Sequence, residues 1–412
     1  MPSPIRFRPT SCADAAAISE LYHDAYRPVN GGDASDFYPY PQLLLPEGVK
    51  DMMRSGVRWF VAELGGAVIG ACGAVLNVGA PEDKIAEAFG LVIREDYRFC
   101  GYARQLFEYL DDFLVRREET LFTIAEARTA HSGGWKVVRR SSFIALGFEP
   151  AAHRTPAGHE SMLLAGKVSC RALALRKRPA VSSIDVHSVA LAVLNQLESG
   201  SLSVEIENIG ESRGIRPQIS YRDQDCDMDI IEHICDEHKI RDLRNALSAY
   251  GSSAVGLKRM RGKLARSDRF DRKLLVASRG QCTVGYAQLD IDIRDQRVKI
   301  DGLIGYDRGV LGSLLLRVLD MTKARIGDVF SAVIETRSDD IGLQQLLEGI
   351  GFFVTAYYPA FIFEDGFRID CVQFTFLHNV NLTEACRAVD LREWPAASKI
   401  KSEICKAQVH ES

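Results

Sequence analysis

Residues 91–113 combine a strand pattern and a helix pattern in one unit, and this unit constrains the fold more than any other segment. The apolar strand ends at Ile93, a polar turn follows, and Arg98, Gly101 and Ala103 lead into an amphipathic helix. The first amide groups of a helix have no partner within the helix, and the helix dipole is positive at that end. Gly101 and Ala103 are small enough to let an anion approach the backbone, and Gly101 can also take a positive φ. The unit therefore predicts an anion site suited to a pyrophosphate.

Length, charge and cysteine pattern narrow the class of protein. A chain of 412 residues is expected to form two or three domains, because a single core seldom grows beyond about 250–300 residues. The formal net charge of −4 gives no positive field for nucleic acid or an anionic membrane. The sequence contains neither a signal-peptide core nor a run of about eighteen apolar residues, and its ten cysteines form no CxxC pair. These features predict a cytoplasmic protein with reduced thiols and no nucleic-acid or membrane partner.

Residues 1–166 contain a series of short strand and helix patterns in the order β-α-α-β-β-β-α-β-α-β-β. The last helix of the series is expected to stop at Gly147, because glycine readily adopts the left-handed conformation that ends helices. Helices are predicted at Ala15–Tyr26, Glu47–Ser55, Gly101–Arg117 and Val137–Leu146. Strands are predicted at Ile5–Arg8, Arg58–Leu64, Ala67–Leu76, Ala86–Ile93, Leu121–Ala127, Phe148–Ala152 and Glu160–Leu164.

The later part of this order recurs in the second half of the chain, about 200 residues further on, which suggests an internal duplication. We therefore divide the chain into a first domain (1–168), a linker with a connecting helix (169–200), a second domain (201–378) and a helical tail (379–412). Helices are predicted at Leu311–Arg325 and Ile341–Ile350, with less regular early helices at Met228–Cys235 and Leu243–Ala249. Strands are predicted at Lys273–Ser278, Thr283–Ile293, Lys299–Ile304, Val329–Glu335, Phe353–Tyr358 and Cys371–Leu377.

Two short motifs carry a family resemblance. The spacing Arg98-x-x-Gly101-x-Ala103 is similar to the signature Arg/Gln-x-x-Gly-x-Gly/Ala of the GCN5-related N-acetyltransferases (GNATs). Leu146-Gly147-Phe148, which follows the last predicted helix, is another frequent mark of that family. The chain thus resembles a tandem GNAT protein over residues 1–166 and 273–377. The resemblance implies an α/β (α+β) fold of two GNAT-like domains, each a mixed, mostly antiparallel sheet flanked by helices.

The resemblance also implies a cofactor and its site. In GNATs the fourth and fifth strands splay apart, and the pantetheine arm of acetyl-CoA lies between them like an extra strand. On this chain the backbone of Leu91, Val92 and Ile93 would contact pantetheine, and the pyrophosphate would be held by Arg98, Phe99, Cys100, Gly101, Tyr102 and Ala103. The matching stretch of the second half keeps Gly309 and Gly312 but is shorter and contains Asp307, whose charge repels phosphate. We therefore expect the first domain to bind acetyl-CoA and the second to be degenerate.

Catalysis needs a base that takes a proton from the amine substrate. Glu87, on the predicted fourth strand, is expected to share a face with Phe89 and Leu91 and is the first candidate; an ordinary carboxylate at the end of a strand is the competing reading. His131, just beyond the fifth strand, is the second candidate, because it titrates near neutral pH. Many relatives use a tyrosine acid four residues before the glycine of the closing Gly-Phe pair; Phe143 occupies that position here and Leu347 in the second half.

The acceptor side is predicted in the loop 27–46, which covers the substrate in GNATs. Tyr26, Asp33 and Tyr38 would suit an amine through charge and aromatic faces. His233, Cys235 and His238 are spaced so that a helix would spread them around its surface, so no metal is expected.

Together these features lead to a main hypothesis and two alternatives. The main hypothesis is transfer of an acetyl group from acetyl-CoA to a primary amine of a small metabolite, by direct attack in a ternary complex. One alternative is a donor with a longer acyl chain, as an acyl-CoA or on an acyl carrier protein, for which the basic segment 167–178 would be a docking surface. The other is a non-catalytic protein that binds acyl-CoA or a partner.

Overall fold

The computed structural model describes residues 4–27, 40–129, 132–155, 158–177, 180–181, 183–197, 205–206, 228–247, 253–257, 270–382, 385 and 390–409. Its helices are α1 (Ala15–Tyr26), α2 (Pro46–Arg54), α3 (Tyr102–Arg117), α4 (Gly133–Arg140), α5 (Cys170–Ala174), α6 (Ile184–Leu194), α7 (Glu237–Leu247), α8 (Arg308–Ile326), α9 (Ile341–Ile350) and α10 (Pro395–Val409). Its strands are β1 (Arg6–Pro9), β2 (Arg58–Leu64), β3 (Ala67–Leu76), β4 (Ile85–Ile93), β5 (Phe122–Arg128), β6 (Ile144–Thr155), β7 (Gly158–Val168), β8 (Ala180–Val181), β9 (Glu205–Ile206), β10 (Met228–Ile234), β11 (Phe270–Arg279), β12 (Cys282–Asp292), β13 (Arg297–Gly305), β14 (Phe330–Arg337), β15 (Phe353–Glu364) and β16 (Phe367–His378).

One sheet of 14 strands runs through the described part of the chain, in the order β1-β2-β3-β4-β5-β7-β6-β15-β16-β14-β13-β12-β11-β10. The two halves have equivalent strand orders when each is read outward from the junction between β6 and β15. The order β6-β7-β5-β4-β3-β2-β1 in the first half corresponds to β15-β16-β14-β13-β12-β11-β10 in the second. In each half one neighbouring pair is parallel, β4 with β5 and β13 with β14, and the other pairs within the half are antiparallel. The mixed, mostly antiparallel pairing predicted for each half is therefore confirmed, but the two halves form one continuous sheet and not the two separate sheets that were predicted.

The two halves of the sheet meet where Gly147 of β6 pairs with Ala356 of β15. Helices α6 and α10 pack on each other and on both of these strands. Val189 and Val193 of α6 and Ile400 of α10 are fully buried there. The apolar faces of these two helices thus cover the junction. The two halves share one continuous hydrophobic core.

The predicted helix Val137–Leu146 is wrong at both ends. Helix α4 ends at Arg140, and Ser142 then adopts the left-handed conformation with φ 64°, which terminates the helix. Strand β6 begins at Ile144, so Gly147 lies inside a strand. A Cβ atom at Gly147 would overlap Ala356, so the junction needs the close backbone approach that only glycine allows. In the second half Gly351, with φ 106°, ends α9 as predicted.

One expectation about the middle of the chain is also wrong. The segment Met228–Cys235 is an edge strand instead of a helix, because its backbone pairs with β11 from Met228 to Ile234. The basic segment 167–178 contains cations that are paired within the fold. Lys167 binds Asp111 with 2.7 Å between nitrogen and oxygen, and Arg176 forms a buried ion pair with Asp370 at 2.6 Å.

Candidate functional site

Strands β4 and β5 diverge at one end, which opens a cleft in the sheet. Their parallel register pairs run from Ile85 with Phe122 to Ala88 with Ala125. Beyond these pairs β4 continues to Ile93 and β5 to Arg128. Unpaired strand edges leave backbone amides and carbonyls available to an extended ligand. We call this opening the first splay. Leu91, Val92 and Ile93, for which contact with pantetheine is predicted, lie along its β4 side.

A β-bulge reshapes β4 within the first splay. Phe89 pairs with Gly73 and Val92 pairs with Ala71, so β4 has one residue more than β3 in this interval. Gly90 takes φ 65°, and its carbonyl accepts a hydrogen bond of 2.5 Å from the Tyr22 hydroxyl. The bulge also breaks the alternation of side chains.

Glu87 lies on the face of the sheet that α1 covers. It is buried, with an exposed fraction of 3%. Phe89, two residues after Glu87, lies on the same face, and its ring packs on Trp59 with ring centroids 5.1 Å apart. Trp59 in turn packs on Tyr22 of α1 with ring centroids 6.0 Å apart. The register puts Val92, and not Leu91, on this face, so the predicted grouping of Glu87 with Leu91 is wrong.

The predicted phosphate loop lies between the end of β4 and the start of α3. Gly101 precedes the helix with φ 82° and ψ 0°, the positive φ that the sequence allowed for. Phe99 also has a positive φ, of 65°, and its side chain is fully exposed. Arg98 Nε donates to the Ile93 carbonyl at 3.3 Å, which ties the loop to the mouth of the first splay.

The start of α3 suits an anion. Among the described side chains, none caps the first turn of α3, and that turn contains no acidic residue. Arg98, Phe99, Cys100 and Gly101 are exposed. A Cβ at Gly101 would have only Gln105 Nε2 near it, at 3.8 Å, so there is open space above the backbone. The loop therefore fits a pyrophosphate, with helix amides and the Arg98 guanidinium as donors.

Tyr26 is the predicted acceptor residue whose surroundings the structure describes. The guanidinium carbon of Arg128, at the end of β5, lies 5.9 Å from the centre of the Tyr26 ring. Arg128 Nε donates to Glu160 Oε2 at 2.8 Å. Desolvation raises the pKa of Tyr26 above its ordinary value. Asp33 and Tyr38, and the second base candidate His131, lie outside the described residues.

Arg128 and Glu160 were missed by the sequence reasoning. The sequence does contain a signal that points to Arg128. The segment Glu126-Ala127-Arg128 at the end of β5 recurs as Glu335-Thr336-Arg337 at the end of β14, the corresponding strand of the second half. A charged pair that recurs at the open ends of two matching strands marks a special position in both halves.

Many GNATs have a tyrosine that acts as a general acid, and the sequence places its position at Phe143. The structure changes this assignment, because α4 ends at Arg140, earlier than predicted. The amide of Phe143 donates to the Val138 carbonyl, just as the amide of Phe352 donates to the Leu347 carbonyl. Val138, not Phe143, is therefore the counterpart of Leu347. Phe143 instead packs on Phe107, with ring centroids 5.3 Å apart. Valine cannot donate a proton either, so the described structure places no acid at this position.

The last hairpin of each half reaches the other half. Asp83, two residues before β4, accepts a hydrogen bond of 2.6 Å from the amide of Phe363. Asp295, two residues before β13, accepts one of 3.1 Å from the amide of Arg154. These aspartates hold corresponding positions, so the contact has the reciprocal form of an interface between two symmetric subunits.

The second half also adds charged groups beside β6 and β7. His153 Nδ1 lies 2.7 Å from Asp295 Oδ2, and both side chains are buried. Arg297 binds the buried carboxylate of Glu149 at 2.6 Å. His153 is paired in register with Glu160, the partner of Arg128. Polar and charged side chains on neighbouring positions therefore extend from Arg128 at the end of β5, across the β6–β7 hairpin, to Asp295 of the second half.

The described residues contain no group of three or more His, Cys, Asp or Glu side chains arranged to hold a metal ion. Among the helices formed by these residues, none has the length and apolar character needed to cross a membrane.

Comparison with known proteins identifies the first part of the chain. Residues 16–132 match the model of the Acetyltransferase (GNAT) family. The match spans α1 to the end of β5, which includes the first splay and the loop at α3. This part of the chain is a GNAT acetyltransferase domain, and the predicted enzyme class, an acetyltransferase, is confirmed.

Several solved acetyltransferase structures are similar to 40% of the chain. The ribosomal-protein-S5-alanine acetyltransferase of Vibrio fischeri is 14% identical, with 40% of this chain and 93% of that chain covered and a TM-score of 0.34. An N-acetyltransferase of Staphylococcus aureus Mu50 is 17% identical, with coverages of 40% and 99% and a TM-score of 0.35. A mutant of the spermidine N-acetyltransferase SpeG of Vibrio cholerae is 15% identical, with coverages of 40% and 93% and a TM-score of 0.33. No curated protein matches the chain.

Proposed function

We propose that the protein transfers an acetyl group from acetyl-CoA to a primary amine of a small metabolite. The observation that carries this proposal is the uncapped, exposed start of α3 at the mouth of the first splay. An extended pantetheine arm between β4 and β5 would find strand edges there, and its pyrophosphate would meet the amides and Arg98. The family match at residues 16–132 supports the same assignment.

We further propose that the chain is a tandem GNAT protein. The mirrored strand order of the two halves and the reciprocal contacts of Asp83 and Asp295 support a duplicated domain. In this proposal the first domain binds the cofactor and the second is a degenerate copy that buttresses it. The second domain would act on the site through Asp295 and Arg297, which hold side chains of the β6–β7 hairpin.

Glu87 is the proposed general base. The neutral amine attacks the thioester carbonyl carbon of acetyl-CoA, the C–S bond breaks, and the departing CoA thiolate takes up the proton that the new amide nitrogen loses. The amine must first lose a proton, and Glu87 lies on the α1 face beside the bulge at Gly90, where acceptor and splay meet. Because Glu87 is buried, a bound water is the natural link between its carboxylate and the amine. His131 remains the second candidate.

The acceptor is proposed to bind on the α1 face near the end of β5. Tyr26 and Arg128 line this region, and Asp33 and Tyr38 follow Tyr26 in the sequence, outside the described residues. The charge of Asp33 and the aromatic ring of Tyr38 would favour a cationic amine, whereas the Tyr26 ring already faces the Arg128 guanidinium.

An acyl carrier protein is a weaker candidate for the donor than the sequence suggested. The basic segment 167–178 was its proposed docking surface. In the folded chain Lys167 binds Asp111, Arg176 is buried with Asp370, and Lys177 lies 3.8 Å from Asp339. Cations that already have internal partners present little free charge to an acidic carrier.

The proposal is tested by incubating the protein with acetyl-CoA and a panel of small amines while free thiol is monitored. Arg98→Glu and Gly101→Glu should abolish CoA binding, because each puts a carboxylate where the pyrophosphate is expected. Arg117→Glu is the matched control, because it makes the same charge change at the other end of α3, roughly 23 Å away at 1.5 Å per residue. Tight CoA binding without turnover of any amine would contradict the acetyl transfer. Undiminished CoA binding by Arg98→Glu would move the cofactor site to the second half.

A further inference from the structure

The second half of the sheet contains an opening that matches the first splay. Strands β13 and β14 pair in parallel from Arg297 with Ser331 to Ile300 with Ile334. Beyond these pairs β13 continues to Gly305 and β14 to Arg337. The register between β12 and β13 shifts at Asp301, which forms a bulge at the place of the bulge in β4. We call this opening the second splay.

A short segment of the chain itself, residues 253–257, lies inside the second splay. Ser253 bridges Ile304 of β13, and Ala254 bridges Thr336 of β14. The amide of Ala254 donates to the Leu303 carbonyl at 3.1 Å, and the amide of Val255 donates to the Glu335 carbonyl at 2.8 Å. The segment therefore hydrogen-bonds to both diverging strands, as an added strand does.

The fit of this segment is close along its length. Lys299 Nζ donates to the Leu257 carbonyl at 3.4 Å, and the Leu257 side chain is almost fully buried in the core, with 1% exposed. A Cβ at Gly256 would lie 2.9 Å from the Asp301 carbonyl oxygen, so the backbone runs directly over the bulge. A second extended ligand could not occupy the same backbone groups.

The helix that follows the second splay is also satisfied internally. Asp307 precedes α8, and its carboxylate accepts a hydrogen bond of 2.8 Å from the amide of Val310. Arg279 Nη2 donates to the same carboxylate at 3.2 Å. The start of α8 thus carries its own anion, whereas the start of α3 is open.

We propose that residues 253–257 and the Asp307 carboxylate are built-in occupants of the second splay. The segment takes the place between the strands that an acyl-CoA pantetheine arm would need, and Asp307 takes the place of its pyrophosphate. The second half therefore binds no CoA, and its splay is held open by the chain itself. The inference depends only on contacts of the second half and holds whichever reaction the first half carries out.

Two measurements test the inference. In the unliganded wild-type protein, the amides of Ala254 and Val255 should exchange with deuterium at least about a hundredfold more slowly than in an unstructured peptide. The variant Val255→Pro removes the amide that donates to Glu335, whereas Val255→Ala keeps it. We expect Val255→Pro to have a Tm several degrees below that of Val255→Ala.

Exchange of both amides at the rate of a free peptide, or equal Tm values for the two variants, would overturn the inference. In calorimetric titration with CoA, Arg98→Glu should bind none, and one retained equivalent would also overturn it. Because the exchange measurement uses unliganded protein, it distinguishes failure of this inference from failure of the proposed acetyl transfer.

Discussion

Gly147 of β6 and Ala356 of β15 pair directly where the two halves of the sheet meet. A Cβ at position 147 would overlap both Ala356 and the carbonyl oxygen of Thr355. The contact joins two strands that would otherwise be sheet edges, with unpaired amides and carbonyls. Close backbone approach at this one glycine is therefore a condition for a continuous sheet.

The variant Gly147→Ala should destabilise the protein by about 1–3 kcal/mol, because the added methyl group forces the junction strands apart. Urea unfolding measures the change. Gly134→Ala is the matched control, because the nearest atom to its added Cβ would be Ala127 Cβ at 4.0 Å and it lies in α4, where alanine is favoured. Equal stabilities of the two variants would contradict the importance of the junction.

The same glycine shows how far sequence reasoning reaches. Leu146-Gly147-Phe148 follows an apolar helical pattern, so a helix stop at Gly147 was the natural local prediction. The fold instead ends α4 with Ser142 in a left-handed conformation and uses Gly147 for packing between the two halves. Local pattern predicts which elements exist, but contacts between distant parts of the chain set their boundaries.

The conformation of the loop before α3 could be predicted because it depends on local sequence. The order from Ile93 through Arg98 and Gly101 into α3 depends on neighbouring residues, and the positive φ of Gly101 follows from the same turn. The occupant of the second splay could not be predicted. Residues 253–257 form backbone hydrogen bonds with strands about 50 to 80 residues further along the chain. The local sequence does not indicate which distant strands such a segment will meet. The burial of Arg176 depends on Asp370 in the same way.

Asp307 should contribute to stability as a helix cap. The variant Asp307→Ala is expected to lose about 0.5–2 kcal/mol of unfolding free energy, because the amide of Val310 loses its acceptor. Asp307→Asn is the control, since asparagine caps a helix nearly as well as aspartate. Thermal unfolding of the three proteins measures the difference. Equal losses in both variants would assign the effect to the ion pair with Arg279 and not to the cap.

The buried pair of Arg176 and Asp370 should be among the most sensitive positions of the chain. Asp370 also accepts hydrogen bonds from the Tyr357 hydroxyl and the amide of Ala360. Removal of the cation in Arg176→Ala leaves a buried carboxylate without its counter-charge, and the expected cost is about 3–5 kcal/mol. The exposed pair of Arg392 and Asp390, at 2.7 Å, supplies the control. Arg392→Ala should leave urea unfolding unchanged, and an equal effect in both variants would contradict the role of burial.

Replacement of Glu87 tests the proposed base. Glu87→Gln should lower kcat by about 10²- to 10⁴-fold, the usual contribution of general base catalysis. The KM for acetyl-CoA should stay unchanged, because the carboxylate lies on the α1 face and the proposed pyrophosphate site lies at α3. Glu20→Gln, an exposed change on α1, is the control. Full activity of Glu87→Gln would shift the assignment to His131, and His131→Ala should then be the variant that loses kcat.

Asp301 should make stability depend on pH. Burial raises the pKa of Asp301 well above its usual range; Lys299 opposes this shift, and the nearby carboxylates of Asp290 and Glu335 increase it. A raised pKa means that the folded chain holds this proton more tightly than the unfolded chain. The stabilising contribution of the protonated carboxyl is therefore complete below the ordinary aspartate pKa of about 3.9 and is lost as pH rises from there through the folded pKa.

Asp301→Asn removes this titration while keeping the size of the side chain. The unfolding free energy of Asp301→Asn relative to the wild type should rise between pH 4 and 8, with a slope of at most about 1.4 kcal/mol per pH unit. Urea unfolding across this range measures the slope, with the exposed change Asp328→Asn as the control. A pH-independent difference for Asp301→Asn would show that the carboxyl under residues 253–257 stays charged in the folded chain. A rising difference would show that the segment lies over a neutral acid, which needs no counter-ion inside the second splay.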